Sequence, residues 1–251
     1  MKNTERFSNR VENYVLYRPH YPASIIEFLK QNAGLNKNHV IADIGSGTGI
    51  LTELFLQNGN KTFGVEPNAA MRLKGEELLN NYKNFISINA TAEATTLNDA
   101  SVDLIIAGQA FHWFDREAFR RECRRIGRAG AYCLLMWNER KVLSDFEKAF
   151  EGLLLKYAND YQQVDHRNIS EKDIQDFFAP EPVIYDVLYN EQVFDYEGVK
   201  GRLLSSSYAP NVGEPNHEPM IAHLHELFDR YQHDERVSFS YDCKLFFGQI
   251  L

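Results

Sequence analysis

Residues 41–55, IADIGSGTGILTELF, set three glycines at alternate positions behind an apolar run and an aspartate. The run HVIADIG (39–45) reads as a short buried strand ended by glycine. From 49 to 58, Ile50, Leu51, Leu54 and Phe55 recur at helical spacing and stop before Gly59. The stretch is therefore strand, glycine turn and helix. Gly45, Gly47 and Gly49 fall where ligands bind in a doubly wound sheet, at the carboxyl end of a strand. Glycine there permits positive φ and lets a ligand approach the backbone closely. Such a loop serves either a dinucleotide's phosphates or a different nucleoside cofactor.

The pattern outside the loop supports a doubly wound sheet. KTFGVEP (61–67), NFISINA (84–90), VDLIIAGQA (102–110) and GAYCLLMW (130–137) read as further strands. Between them, Asn68 is placed to cap a helix running through Met71, Leu78 and Leu79, and a second helix is expected from about Asp115 to Ile126. Alternation of strands and helices predicts an α/β fold with a mostly parallel sheet, covered by helices on both faces. The second half predicts helices at 144–160, 170–178, 196–207 and 216–232, with a strand at 182–194. The terminal VSFSYDCKLFFGQIL alternates Val237, Phe239, Tyr241, Leu245 and Phe247 against Ser238, Ser240, Asp242 and Lys244. Alternation of that kind suits an antiparallel strand near a sheet edge. The chain reads as one domain over 1–251: a core at 39–137, helical insertions at 138–234 covering the ligand edge, and an edge strand at 235–251.

Spacing and charge choose between the cofactors. A dinucleotide fingerprint is GxGxxG, but here Ile50 stands where its last glycine would fall. Asp43 beside a pyrophosphate, at about 4 Å and an effective dielectric of about 20, would be repelled by roughly 4 kcal/mol. An ammonium and a sulfonium would be attracted instead. Glu66, about 20 residues after the loop, stands where an acid receives ribose hydroxyls in such folds. The loop spacing and Asp43 both favour S-adenosylmethionine over a nicotinamide dinucleotide.

With these residues in place, DIGSGTG, VEPNAAM and ATAEATTL resemble, in order and spacing, the cofactor motifs of class I S-adenosylmethionine-dependent methyltransferases. RVENYVLYRPHYP and GQAFHWFD are similar to the small-molecule branch called methyltransferase type 11, or trans-aconitate-methyltransferase-like. The resemblance covers residues 7–137 well and the remainder loosely. It implies a Rossmann-like seven-stranded sheet with the last strand antiparallel. It places Asp43, Gly45, Ser46 and Gly47 at the cofactor's methionine end and Glu66 on the ribose. It sets Pro67 and Met71 beside the adenine, with Ala92 and Glu93 at its edge. Arg18 would clamp the methionine carboxylate, with Tyr14 and Tyr17 closing over it. Gln109, His112 and Trp113 would line the boundary between cofactor and acceptor. Many relatives carry an aspartate just before the equivalent of Ala92; Thr91 stands here, so adenine recognition has to be looser or come from elsewhere.

His112 is the candidate catalytic residue. Its ordinary pKa near neutrality suits a general base, while a hydrogen-bonding wall or a structural role fits the same position. Methyl transfer expels a neutral thioether and needs no acid, and holding the nucleophile about 3–3.5 Å from the methyl supplies much of the rate. The acceptor is expected to be a small molecule offering a carboxylate or hydroxyl, with Arg18, Arg140, Arg167 and Arg202 as candidate anchors. A cofactor-binding sensor without turnover is the alternative; a nicotinamide-dependent oxidoreductase is disfavoured by the loop.

Composition narrows the partners. The chain of 251 residues has a net charge of −8, which argues against a broad nucleic-acid footprint. RRECRRIGR (120–128) reads as a solvated helix face, because Glu117 and Glu122 are interspersed with its arginines. Cys123, Cys133 and Cys243 form no CxxC pair, which suits a reducing cytosol. No metal site is expected, since His223 and His225 are two apart on a helix and diverge. No apolar run reaches membrane-spanning length. The expected protein is cytoplasmic, a monomer or homodimer, with S-adenosylmethionine as cofactor and S-adenosylhomocysteine as product.

Overall fold

The structure, a computed structural model, describes residues 11–159, 161 and 169–250. Helix α1 (Val11–Tyr17) leads through a proline-containing strap to α2 (Ser24–Ala33). Then follow β1 (Val40–Ile44), α3 (Ile50–Gln57), β2 (Lys61–Val65), α4 (Ala69–Leu78), β3 (Phe85–Ile88) and β4 (Val102–Gly108). A single 3-10 turn, Phe111–Trp113, precedes α5 (Arg116–Ile126) and β5 (Gly127–Arg140). The second half contains α6 (Asp145–Tyr157), α7 (Glu171–Phe178), β6 (Ile184–Phe194), α8 (Tyr196–Leu204), α9 (His217–Tyr231) and β7 (Val237–Gln249). The expected elements are found, with ends shifted by a few residues.

Helix starts follow local chemistry. Asn68 accepts from the Met71 N–H at 3.1 Å and begins α4 as expected. Asp115 caps α5 in the same way, and Ser144 with Glu147 closes a capping box on α6. These bonds satisfy N–H groups that have no partner inside the helix.

The seven strands lie in the order β3-β2-β1-β4-β5-β7-β6. β1 to β5 pair in parallel, and β7 runs antiparallel to both β5 and β6. One expectation is corrected here: β7 is an inner strand, and β6 is the edge. Alternation identifies an antiparallel strand but not its place in the sheet, because both strands alternate. β7 buries Val237, Phe239, Tyr241, Cys243, Leu245 and Phe247, whereas β6 leaves Tyr185, Val187 and Tyr189 exposed.

Consecutive residues of β1 divide between the two faces. Ile41 packs with Ile25, Leu29, Leu51 and Phe55 of α2 and α3. Ala42 and Ile44 face the opposite layer, with Phe119, Cys123 and Phe177 of α5 and α7. A third core joins α6, α8 and α9 to Val237, Phe239 and Tyr241 of β7. Since Tyr241 pairs with Arg140 at the carboxyl end of β5, this helical cover sits at the rim where the strand-end loops converge. The loops after β1, β2, β3 and β4 all open there.

Candidate functional site

The glycine loop turns back over the end of β2. Gly45, Gly47 and Gly49 have φ of 72°, 58° and 88°, a region that residues with a Cβ seldom enter. A Cβ on Gly45 would also stand 2.7 Å from the Ala110 Cβ. The N–H groups of Gly45 and Ser46 both donate to Val65 O, and that of Gly49 donates to Ser46 O. The Gly47 N–H donates to Glu66 Oε2 at 2.9 Å. A dinucleotide site aims such N–H groups at phosphate; here all of these already serve the protein. The loop is a rigid wall, not a phosphate cradle.

Two adjoining spaces flank the loop. The larger is a cleft of about 860 Å³, open to solvent. Its lining includes Glu66, Pro67, Asn68, Met71, Ala92, Glu93, Trp113 and Phe114. The smaller, about 460 Å³, is lined by Arg18, Tyr21, Asp43, Ser46 and Thr48, among others. Gly45, Gly108 and Gln109 border both. Motifs far apart in the sequence thus meet in one continuous slot.

Charge is distributed unevenly along the slot. In the smaller space a guanidinium, Arg18, and a carboxylate, Asp43, line the same volume. Arg18 is held by donation from Nη2 to Ser205 O at 3.1 Å. Asp43 is 1% exposed, and its Oδ2 accepts from Thr52 Oγ1 at 2.6 Å. Burial pushes the Asp43 carboxyl up to about 7, and the nearby Glu66 adds to the rise, against the Thr52 hydrogen bond. A buried carboxylate in that state gains from a neighbouring cation. Thr48 Oγ1, buried in the wall of this space, finds no hydrogen-bond partner among the described residues. Such an atom calls for a polar ligand group.

In the larger cleft, Glu66 takes the Gly47 N–H on one oxygen and the Asn68 N–H on the other, at 2.9 and 2.7 Å. Each oxygen keeps acceptor capacity for a further hydroxyl. Burial raises the Glu66 pKa, partly offset by those two N–H groups and by Arg72. Met71, Pro67, Ala92, Trp113 and Phe114 give the cleft apolar walls suited to a planar ring. Glu93 reaches across to accept from the Asp115 N–H at 3.0 Å, tying the cleft wall to the start of α5.

The donor set therefore fits a zwitterionic amino-acid group joined to a nucleoside. Arg18 and Asp43 have the charges to match its carboxylate and ammonium, Glu66 the acceptors to match a diol, and Met71 with Trp113 the apolar surface to match a ring. Of the expected site residues, Arg18, Asp43, Gly45, Ser46, Gly47, Glu66, Pro67, Met71, Ala92, Glu93, Gln109 and Trp113 line these spaces. His112 lines neither; its ring packs against Trp113 at 4.5 Å between centroids. The Tyr14 side chain, and Arg167, lie outside the described residues. Residues absent from the sequence expectations also appear: Gly108, Ala110, Phe114 and Thr48. Gly108 has a steric reason, since an added Cβ would meet the Tyr21 ring (Cζ at 2.8 Å) and Leu51. A glycine at a strand end beside the ligand rim was a usable signal for it.

Most of the basic run, across α5 and the start of β5, is engaged within the protein. Arg125 pairs with Asp99 and Glu122, Arg128 with Asp103, and Arg120 and Arg124 donate to Ala179 O. His223 and His225 diverge, one against the Tyr157 ring and the other paired with Asp229. No helix among the described residues is long and apolar enough to cross a membrane.

Comparison with known proteins bears on the same segment. Residues 42–135 match the methyltransferase domain family. An uncharacterised methyltransferase of Schizosaccharomyces pombe is 31% identical over 134 residues, 53% of this chain and 53% of that protein. The chain spans about half the length of the first curated relatives it matches. Among solved structures, one assigned as a type II methyltransferase from Anaeromyxobacter dehalogenans has a TM-score of 0.73 at 22% identity, covering 94% of this chain and 99% of that one. Geranyl diphosphate methyltransferase, solved in complex with S-adenosylmethionine, gives a TM-score of 0.51 at 14% identity, covering 91% and 85%. Residues 42–135 thus carry the methyltransferase domain match, and the fold of most of the chain is the one found in these solved methyltransferases.

Proposed function

We propose that this chain transfers the methyl group of S-adenosylmethionine to a small-molecule acceptor that carries a carboxylate or hydroxyl. The observation that carries the reading is the presence of Arg18 and buried Asp43 in the walls of one space, joined to a cleft with Glu66 in its wall. The bound cofactor would supply an electrophilic methyl on its sulfonium. As the bond from methyl to acceptor oxygen forms, the bond to sulfur breaks and the neutral thioether is S-adenosylhomocysteine. The proton of a hydroxyl acceptor passes to solvent in the open cleft. The chain's own work is then orientation. Arg18 and Asp43 fix the amino-acid end, Glu66 the ribose, and Met71 and Trp113 the ring. The reacting region falls at Gly45, Gly108 and Gln109, where the two spaces meet. Holding an acceptor atom about 3–3.5 Å from the methyl there provides the main acceleration.

Trp113 and the helical cover of α6, α8 and α9 form the acceptor side in this reading. The aromatic cover and the internal pairing of the α5 arginines favour a small acceptor over RNA or an extended protein. Arg140 is paired with Glu151, and Arg202 is buried and donates to Tyr241 Oη at 3.3 Å and Ser206 Oγ at 3.2 Å. His112 retains a positioning role through Trp113 and is not assigned proton transfer.

Incubation with methyl-labelled S-adenosylmethionine and a fractionated small-metabolite extract tests the reading. Label should move to a low-mass product. Transfer only to macromolecules, or release of no S-adenosylhomocysteine from a protein that binds the cofactor, would overturn it.

A further inference from the structure

The strap between α1 and α2, YRPHYP (17–22), carries Arg18 and Tyr21 to the slot, yet it belongs to no sheet. Pro19 and Pro22 have no N–H, so the strap offers its neighbours mainly carbonyls. Two of these are met by side-chain amides from the antiparallel end of the sheet. Tyr17 O accepts from Gln192 Nε2 at 3.2 Å. His20 O accepts from Asn190 Nδ2 at 2.6 Å and from Asn138 Nδ2 at 3.3 Å. Asn190 Nδ2 also donates to Asn138 Oδ1 at 3.0 Å, and Tyr241 Oη donates to Gln192 Oε1 at 2.9 Å.

The placement is regular. Asn190 and Gln192 are two apart on edge strand β6 and share a face. Asn190 and Arg140 both pair with Tyr241 across β7, and Asn138 is two residues before Arg140 on β5, so Asn138 points the same way. The Asn138 carbonyl in turn accepts from Gln109 Nε2 at 3.0 Å. Gln109 borders both ligand spaces and has a φ of 55°. One set of hydrogen bonds thus links the strap, through side-chain amides, to the residue at the junction of the slot. On the far side, Tyr17 presses its ring onto Gly201 of α8, where no Cβ would fit, and Arg18 reaches Ser205 O.

Resting on the cofactor reading above, we propose that Asn138, Asn190 and Gln192 form an amide clasp that holds the strap shut and so positions Arg18 and Tyr21 for cofactor binding. None of the three lines the ligand spaces described, so they are positioning residues that act through the strap. Their loss should open the strap and shorten the residence of the cofactor. The sheet should stay folded when Asn190 is replaced, because β6 is an edge strand.

Stopped-flow dissociation of S-adenosylhomocysteine tests this with the full chain. Loss of a net hydrogen bond corresponds to about 3- to 10-fold faster dissociation for Asn190→Ala. Asn190→Asp, which keeps the shape but turns a carboxylate oxygen toward His20 O, should have at least that effect. In both variants the protection of strap amides from hydrogen exchange, gained on adding S-adenosylhomocysteine, should shrink. Combined with Arg18→Ala, Asn190→Ala should add less than the product of the two single effects, since both act through the same clamp. Unchanged dissociation in folded single variants, or fully multiplicative effects in the double variant, would overturn the clasp. Wild-type protein that does not bind S-adenosylhomocysteine would overturn the cofactor reading itself and the clasp with it.

Discussion

Replacing Asp43 by asparagine separates the charge of the buried carboxyl from its shape. The amide oxygen introduced by Asp43→Asn could still accept from Thr52 Oγ1, which lies 2.6 Å from Oδ2 in the wild type. Burial first, then Glu66, raises Asp43 from 3.8 to about 7. A group whose folded pKa exceeds its unfolded pKa stabilises the fold fully below the unfolded value, and that stability is lost as pH rises through the folded value. With that rise, the ligand-free protein is roughly 4 kcal/mol less stable at pH 8 than at pH 4 on this account alone. In binding the sign reverses, because the cofactor's ammonium selects ionised Asp43. Affinity for S-adenosylhomocysteine should then fall about tenfold per pH unit below 7, or roughly 30-fold between pH 8 and pH 5.5. Calorimetric titrations across that range, with thermal melts of the ligand-free protein, measure both. Asp43→Asn should bind about 10- to 150-fold more weakly at pH 8, the range for a hydrogen bond to a charged group, and lose most of the pH slope. A variant with the wild-type slope and affinity would refute the role of Asp43 in the slot.

Other substitutions test separate parts of the site. Gly108→Ala puts a Cβ into the Tyr21 ring; overpacking of this kind costs about 1–3 kcal/mol, so both the melting temperature and S-adenosylhomocysteine affinity should drop, and an unaffected affinity would detach Tyr21 from the methionine end. Glu66→Ala should weaken cofactor binding by roughly 1.5–3 kcal/mol, with some loss of stability because the Gly47 and Asn68 N–H groups lose their acceptor; a folded variant with full affinity removes Glu66 from the site. With an acceptor in hand, His112→Gln should leave the pH–rate profile in place, and a lost limb near neutrality would restore His112 as general base.

Much of this arrangement was legible in sequence because it depends on local rules. A glycine turn after an apolar run, an acid at the end of the next strand and a capped helix after it are all set within a few residues of one another. They brought Asp43, Gly45, Gly47, Glu66 and Met71 to one rim as expected. What stayed hidden depends on tertiary placement. The Thr52 hydroxyl meets Asp43 only because α3 packs across β1. Asn138 is far in sequence from Asn190 and Gln192, and they converge only through strand register. The edge position of β6 was misplaced for a similar reason, since two alternating strands look alike until their partners are known. Helices α1 and α2 carried no expectation, although Ile25, Phe28 and Leu29 stand at i, i+3 and i+4 and are buried together. His112 was drawn to the slot by the segment it lies in, but the 3-10 turn presents Trp113 there instead.

The central claim is that the slot recognises a zwitterionic thio-nucleoside and rejects a dinucleotide. Isothermal titration at pH 8 with S-adenosylhomocysteine and, separately, with oxidised nicotinamide dinucleotide puts that directly. The account predicts saturable heat at one site per chain for the first and none for the second. Saturation by the dinucleotide, or silence toward S-adenosylhomocysteine at millimolar concentration from folded protein, would contradict it.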